Sequence, residues 1–407
     1  MKILFCCENF YPSIGGVQEV VLQIAKRLTK KHDVTLATTF RAERNFEIYK
    51  NIKIKQFKIY GNYVTKIYGD VKAYRKLIFE EDFDYIFFYA AQQWTFDVIL
   101  DDLHKVRSKI IFVPCGFSGL KFKIYSKYFN KLLTKLKYID HFVFHTKEYQ
   151  DFEFLKKNLK SSQYSIITNG ACLEEFKKLK SKTQHKRDLG INESFLILLN
   201  SSLSIDKGQL EFINAMKNFK STKKIRIIIN ANYENSSNLY KFFISLLKFF
   251  YKFFIYRQVQ LNPSLIYWFI KYKSLQLNRN VKLSIVNLPR DKLINIYKAS
   301  DLFIFTSKIE YCPLVVYESM ASQTAFISSD VGNVNAVIKK YNSGMLCKKI
   351  KTNNNLVQFS SSDLIKKINH LVVDSTKREL LAKNGREAFL KELNWNKIFI
   401  SYAKLFK

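Results

Sequence analysis

The chain has 407 residues, 47% of them hydrophobic, which is enough for two cores of ordinary domain size. No apolar run reaches the ~18 to 20 uncharged residues of a membrane span, and the apolar run in residues 1–8 is too short for a signal peptide. Against 34 Asp and Glu stand 67 Lys and Arg, a formal charge of +33 that suits anionic membranes, nucleic acid or phosphorylated substrates.

Cys6, Cys7, Cys115, Cys172, Cys312 and Cys347 lack metal-ligand spacing, so reduced thiols in a cytoplasm are expected. The basic residues are spread along the chain without a recognition motif, which argues against specific nucleic-acid binding.

In chain order, Lys2–Cys7 reads as a buried strand, and Glu8–Gly16 as a loop ending in Gly15-Gly16. From Val17 to Leu28, apolar residues at 17, 20, 21, 24, 25 and 28 make one helical face. Strand, glycine loop and helix open a parallel α/β domain, and the paired glycines let backbone come close to a ligand or simply make a tight turn. Further strands are predicted at Asp33–Thr39, Ile52–Phe57, Tyr85–Tyr89, Lys109–Pro114, His141–Phe144 and Tyr164–Thr168. His141 and His145 read as packing residues.

Between these strands, Lys121–Lys137 carries lysines at 123, 127, 131 and 135 on one stripe, with Tyr125, Phe129, Leu132 and Leu136 opposite. Such a helix suits an anionic bilayer surface, or packs on its own domain. Leu173–Arg187 is polar and lysine-rich, the composition of an interdomain linker.

A second set of elements follows. Phe195–Asn200 is a strand, Ser201–Gly208 a loop, Gln209–Phe219 a helix and Ile225–Asn230 a strand. No Asp or Glu occurs from Asn235 to Arg290, and Leu239–Tyr256 is almost wholly apolar and aromatic apart from one stripe of Lys241, Ser245, Lys248 and Lys252. That segment is expected to lie in the plane of a membrane surface, or to be an internal core helix whose aromatic face another element covers.

Val281–Val286 is a strand, Arg290–Lys298 a helix, and Ala299–Ser307 a buried strand. Glu310 and Glu318 then flank Pro313, whose missing N–H suits a first helical turn. The free N–H groups of that turn favour an anion. Carboxylates on both sides of it suit a ligand that also carries hydroxyls. Ala325–Ser329 is a strand, Gly332–Lys340 a helix, and residues 362–373, 376–391 and 395–406 are terminal helices.

Taken together, these residues resemble the retaining nucleotide-sugar glycosyltransferases of family 4. Phe10-Tyr-Pro-Ser-Ile-Gly-Gly-Val17 is similar to that family's glycine-rich N-terminal loop. Ile167-Thr-Asn-Gly170 with Leu173-Glu-Glu-Phe176 is similar to its asparagine–glycine signature, Asp206-Lys-Gly208 to its phosphate-binding lysine loop, and Glu310 to Glu318 to its E-x7-E motif. Val331-Gly332 and Leu393-Asn-Trp395 resemble two later landmarks. Each motif is short, and their order and spacing carry the resemblance.

The resemblance implies an α/β GT-B fold, two Rossmann-like domains facing across a cleft. The expected acceptor-side domain is 1–175, the linker 176–190, and the nucleotide-sugar-binding domain 191–390 with a basic aromatic insertion at about 231–280. Residues 391–407 are expected to return to the first domain. Catalytic roles fall on Glu310, Lys207 and Cys115. Donor contacts fall on Gly15, Gly16, Lys207, Glu310, Tyr311, Cys312, Pro313, Leu314, Val315 and Glu318.

In that scheme Lys207 neutralises the diphosphate, Glu310 accepts hydrogen bonds from the donor sugar and Glu318 from the ribose. The anomeric configuration is retained, and neither metal nor cofactor is required beyond the nucleotide sugar as substrate. The expected activity is sugar transfer to a lipid-linked or cell-surface glycan acceptor, by a peripheral protein on the cytoplasmic membrane face. Lys121–Lys137 and Leu239–Arg257 are the expected membrane contacts.

Three positions depart from the pattern. Ser202 stands where an arginine is common five residues before the lysine, which loses a forked phosphate contact. Arg290 is a candidate substitute. Cys115, in Val113-Pro-Cys-Gly116, stands where a histidine is common, and Asn335-Ala336 replaces an acidic residue. A catalytically weakened GT-B protein serving in a membrane-associated glycan-assembly complex is the alternative reading.

Overall fold

Runs of Ile, Val, Leu and Phe bounded by polar turns make strands that must be covered on both faces, and these assemble as parallel sheets under helices. The computed structural model of the chain describes residues 1–231, 243, 244, 246, 247, 263–353 and 356–407. They divide into two units, Met1–Asn169 with Trp395–Lys407, and Gly170–Asn394.

The sheet of the first unit runs, edge to edge, through Tyr164–Ile166, His141–Phe144, Lys109–Val113, Tyr85–Tyr89, Lys2–Cys6, Asp33–Thr39, Ile52–Phe57 and Ile48–Tyr49. All neighbours are parallel except the last pair. Lys2–Cys6 is where the strand order reverses. The helix Gly16–Leu28 buries Val20, Val21, Ile24, Ala25 and Leu28, the face that its spacing predicts. Arg27 Nη2 donates to Asn396 Oδ1 at 2.7 Å, tying it to the last helix, Trp395–Ala403.

The sheet of the second unit is wholly parallel: Val281–Val286, Ile225–Asn230, Phe195–Asn200, Leu302–Phe305, Ala325–Ser328 and Gly344–Leu346. Here the order reverses between Phe195–Asn200 and Leu302–Phe305. In open α/β sheets, ligands bind outside the carboxyl ends of the strands at such a reversal. The two loops leaving it are Ser201–Gly208 and Thr306–Pro313.

Several expectations require correction. Residues 176–190 are not a linker: Lys182–Asp188 is a helix capped by Ser181 Oγ accepting from Gln184 N–H. Its Lys186 pairs with Asp301 at 2.6 Å, and both side chains are about nine-tenths buried. A lysine-rich stretch reads as solvated until its buried partner, 115 positions away, is known.

The unit boundary falls at 169/170. The return to the first unit begins at Trp395. Asn394 ends the preceding helix by donating from Nδ2 to Phe389 O and Leu390 O at 3.0 and 3.1 Å.

The apolar face of the Lys121–Lys137 segment does not face a bilayer. Within it, Ser126–Lys135 is helical, and Phe129, Leu132 and Leu136 are in the core of the first unit. Phe122 and Ile124, just before that helix, are exposed.

Of the expected insertion, Pro263–Ser274 is a helix with Leu265, Ile266, Tyr267 and Ile270 buried, the last three in a core of the second unit. The Leu239–Arg257 expectation lies outside the described residues apart from 243, 244, 246 and 247. No helix among the described residues is long and apolar enough to cross a membrane.

Candidate active site

The second unit collects most of the predicted donor residues. Lys207 ends a short 3₁₀ turn, Ile205–Lys207, whose start is capped by Ser204 Oγ accepting from Asp206 N–H. Gly208 follows at φ +68°, and a Cβ there would lie 2.1 Å from Thr306 O. Only glycine combines that left-handed backbone with so close an approach.

The approach binds the two loops together. Thr306 Oγ1 donates to Lys207 O at 3.1 Å, and Lys308 N–H to Asp206 O at 2.7 Å. It also delivers Lys207 Nζ to the Glu310 carboxylate as an ion pair, and Ser307 Oγ donates to the same oxygen at 3.2 Å. Both side chains of the pair stay partly open to solvent.

Tyr311 and Cys312 lead into the helix Leu314–Ala321. Pro313 is its N-cap, one position earlier than expected, and the N–H groups of Leu314 and Val315 lie in its first turn. The turn is braced from behind. Asn333 N–H donates to Tyr311 O at 3.0 Å, and Asn333 Nδ2 donates to Tyr317 OH at 2.6 Å and to Cys312 Sγ at 3.2 Å. Gly332, at φ +54°, lets this brace lie flat, since a Cβ there would meet Tyr311 O at 2.2 Å.

Glu318 is one turn into that helix, its side chain only 6% exposed. Its Oε1 pairs with Arg290 Nη1 at 2.6 Å. Arg290 turns its other edge to Glu175, with Nε to Oε1 at 3.0 Å and Nη2 to Oε2 at 2.6 Å. Its guanidinium is committed to two carboxylates.

Behind Glu318, burial and the Glu318 charge hold the Tyr297 phenol well above its usual range. Tyr297 OH accepts from Asn200 Nδ2 at 3.0 Å, and Asn200 Oδ1 accepts from Asn230 Nδ2 at 2.9 Å. Sequence reasoning quoted Glu175 only within Leu173-Glu-Glu-Phe176, without a site role, and missed Tyr297, Asn200 and Asn230. A signal existed for the last two: each ends an otherwise apolar buried strand, Phe195–Asn200 and Ile225–Asn230.

Gly15, Gly16 and Cys115 lie in the first unit. Gly15 is the extended N-cap of the helix Gly16–Leu28. It sits in the loop from the carboxyl end of Lys2–Cys6, the strand at which the order reverses. Cys115 follows Lys109–Val113, two strands away, in a run of left-handed residues: Cys115 at φ 59°, Gly116 at 89° and Phe117 at 49°. Gly116 N–H donates to buried Asp151 Oδ2 at 2.9 Å, and Gln150 Nε2 to Gly116 O and Phe117 O at 2.9 and 2.8 Å. Such backbone is held only where its surroundings impose it. His145 is buried, its ring bonded to Tyr89 OH at 2.8 Å and Ile167 O at 2.7 Å, a packing role.

Two parallel α/β units of this kind define the GT-B fold. HepE from Anabaena in complex with UDP superposes with a TM-score of 0.72 at 16% identity, covering 100% of this chain and 99% of that one. Sucrose-phosphate synthase from Thermosynechococcus elongatus gives 0.72 at 15% identity, covering 100% and 98%. Within that fold, residues 269–388 match the family described as Glycosyl transferases group 1. Alpha-maltose-1-phosphate synthase of Mycolicibacterium smegmatis (strain ATCC 700084 / mc(2)155) is 30% identical over 108 residues. The matched segment spans about a quarter of each protein, 26% of this chain and 27% of that relative.

Proposed function

We propose that the chain is a retaining glycosyltransferase that moves a sugar from a nucleotide-sugar donor to a lipid-linked or cell-surface glycan acceptor at the cytoplasmic face of a membrane. The observation that carries this reading is the meeting of Lys207 and Glu310 at the strand-order reversal of the second sheet, beside the start of the helix Leu314–Ala321. HepE, of the same fold, has been solved with UDP and with UDP-glucose, which supports a nucleotide-sugar donor.

In this reading the donor diphosphate takes Lys207 from Glu310, since two phosphates attract an ammonium more strongly than one carboxylate does. Glu310, released, accepts hydrogen bonds from the sugar. The first-turn N–H groups at Leu314 and Val315 face the phosphate oxygens. Lys207 and that helix end stabilise the leaving diphosphate without a metal. Glu318 accepts from the ribose. Gly15 and Gly16 admit the sugar-phosphate, and Cys115 is the first-unit group assigned to the sugar.

The test is release of nucleoside phosphate from a panel of nucleotide sugars, with membranes as acceptor source. Turnover abolished by Glu310→Ala supports the assignment, and a fully active Glu310→Ala enzyme rejects it. Ser202 and Cys115, which replace two groups common at such sites, favour a second reading, a catalytically weakened component of a glycan-assembly complex. Donor binding by calorimetry with no turnover on any acceptor selects that reading.

A further inference from the structure

Glu318 is a nearly buried carboxylate, and a buried charge is tolerated only when paired. Its partner, Arg290, is fixed from both sides. Pro289 caps the helix Arg290–Ala299 that starts with it. Glu175, in the short helix Leu173–Phe176, takes the Nε/Nη2 edge of the guanidinium as a two-bond fork. That leaves Nη1 aimed at Glu318 Oε1 at 2.6 Å.

A planar guanidinium held on one edge by a fork transmits its orientation to whatever its remaining nitrogen binds. The Tyr297 phenol also interacts with Glu318, and burial together with the Glu318 charge keeps it protonated. Asn200 Nδ2 donates to that hydroxyl oxygen, so the phenol proton is left to point towards the carboxylate. One carboxylate is thus set between a cation and a hydroxyl donor. Glu175 lies outside the Ser201–Gly208 and Thr306–Pro313 loops, yet it shares Arg290 with Glu318.

We propose that Glu175 and Arg290 form a positioning clamp that fixes the rotamer of Glu318 for the vicinal hydroxyls of a ribonucleoside diphosphate, and so make the site selective for ribose over deoxyribose. This rests on the reading of Glu318 as the ribose acceptor. Arg290 and Glu175 touch no substrate in it. They act through Glu318.

The experiment is calorimetric titration with UDP, GDP and ADP, followed by the 2′-deoxy and 3′-deoxy forms of whichever binds best. The wild-type protein is expected to prefer the ribose form by about tenfold or more, the worth of one hydrogen bond to a charged group. Glu175→Gln loosens the clamp without leaving Glu318 unpaired, and Arg290→Lys keeps the charge but loses the fork. Each is expected to cut the preference to within about threefold, with affinity for the deoxy forms and Tm unchanged, a pattern that generalised unfolding does not produce.

Variants that keep the full ribose preference overturn the clamp and leave the donor site standing. A wild-type protein that binds nucleoside diphosphates without ribose preference does the same. A wild-type protein that binds none of the three overturns the donor-site reading itself, and the clamp with it.

Discussion

Lys207 Nζ and the Glu310 carboxylate form an ion pair although they are 103 residues apart, because their loops leave two neighbouring strands at the point where the strand order of the second sheet reverses. Both are partly open to solvent, so the pair contributes little to stability. Its consequence is functional. Glu310→Ala and Lys207→Ala are each expected to lower kcat/KM by roughly 100-fold or more, the order seen when one transition-state contact is removed. Tm should move by no more than a few degrees. Loss of Tm in parallel with activity would make the pair a structural tie.

Gly208→Ala tests the joint between those loops. A Cβ at φ +68° with a carbonyl oxygen 2.1 Å away has no relaxed position. The strained backbone alone costs about 1–3 kcal/mol. The displaced atom, Thr306 O, is four residues from Glu310, so activity should fall further than stability. Urea unfolding alongside donor titration separates the two. A variant with unchanged donor affinity would show that this contact does not set the Glu310 loop.

How far the sequence reveals all this varies by element. The parallel strands are legible because strands covered on both faces are continuous apolar runs, as in Tyr85–Tyr89, where every residue is buried. The helix Gly16–Leu28 is legible because its buried positions repeat at 3.6. Lys207, Glu310 and Glu318 are legible as types and spacings.

Their partners are not. Neither the Lys207–Glu310 pair nor the Glu175–Arg290–Glu318 chain has a local signature, because each depends on which strands lie side by side. The same holds for the stretch expected to be a linker, where Lys186 turns inward to a distant aspartate. Periodicity gave the amphipathic face of Ser126–Lys135 correctly, and it cannot say whether that face meets a core or a bilayer.

Asp301 is the third test. Its Oδ2 accepts from Lys186 Nζ at 2.6 Å and from Leu196 N–H at 2.7 Å. Asp301→Ala leaves a buried ammonium without its carboxylate, which costs about 3–5 kcal/mol. The urea midpoint of the second unit should fall accordingly. A shift under about 1 kcal/mol would mean that Lys186 swings out to water and that the helix Lys182–Asp188 is held by other contacts.

Two buried groups of the first unit titrate in opposition. Burial raises the Asp97 carboxyl to about 7, while Tyr63 N–H donates to its Oδ2 at 2.9 Å. Burial lowers the His145 imidazole to about 4. Asp97 holds its proton in the folded state where the unfolded chain has lost it, so its contribution falls as pH rises from about 4 to 7. His145 stays neutral in the folded state where the unfolded chain protonates, so its contribution is lost as pH falls from about 6.5 to 4. From these two groups, stability between pH 4.5 and 6.5 should be nearly level. Asp97→Asn should unmask a rise with pH, and His145→Gln a fall. Thermal unfolding across that range checks both signs, and parallel profiles for the two variants would refute the assignment.

The last prediction concerns the membrane. With Phe129, Leu132 and Leu136 taken by the core, the proposed membrane attachment at this segment would rest on the turn before the helix, where Phe122 is 50% and Ile124 68% exposed, with Lys121, Lys123 and Lys127 exposed around them. An aromatic and an aliphatic side chain ringed by lysines suit the boundary between acyl chains and anionic headgroups. Each lysine at such a surface is worth about 1 kcal/mol. Lys123→Glu with Lys127→Glu should therefore reduce co-sedimentation with anionic vesicles by roughly 30-fold or more, with no change in turnover on a soluble acceptor. Phe122→Ser with Ile124→Ser should weaken binding while preserving its salt dependence. Equal binding of the wild-type protein to neutral and anionic vesicles would remove the electrostatic part. Undiminished binding of both double variants would move the attachment away from this turn altogether.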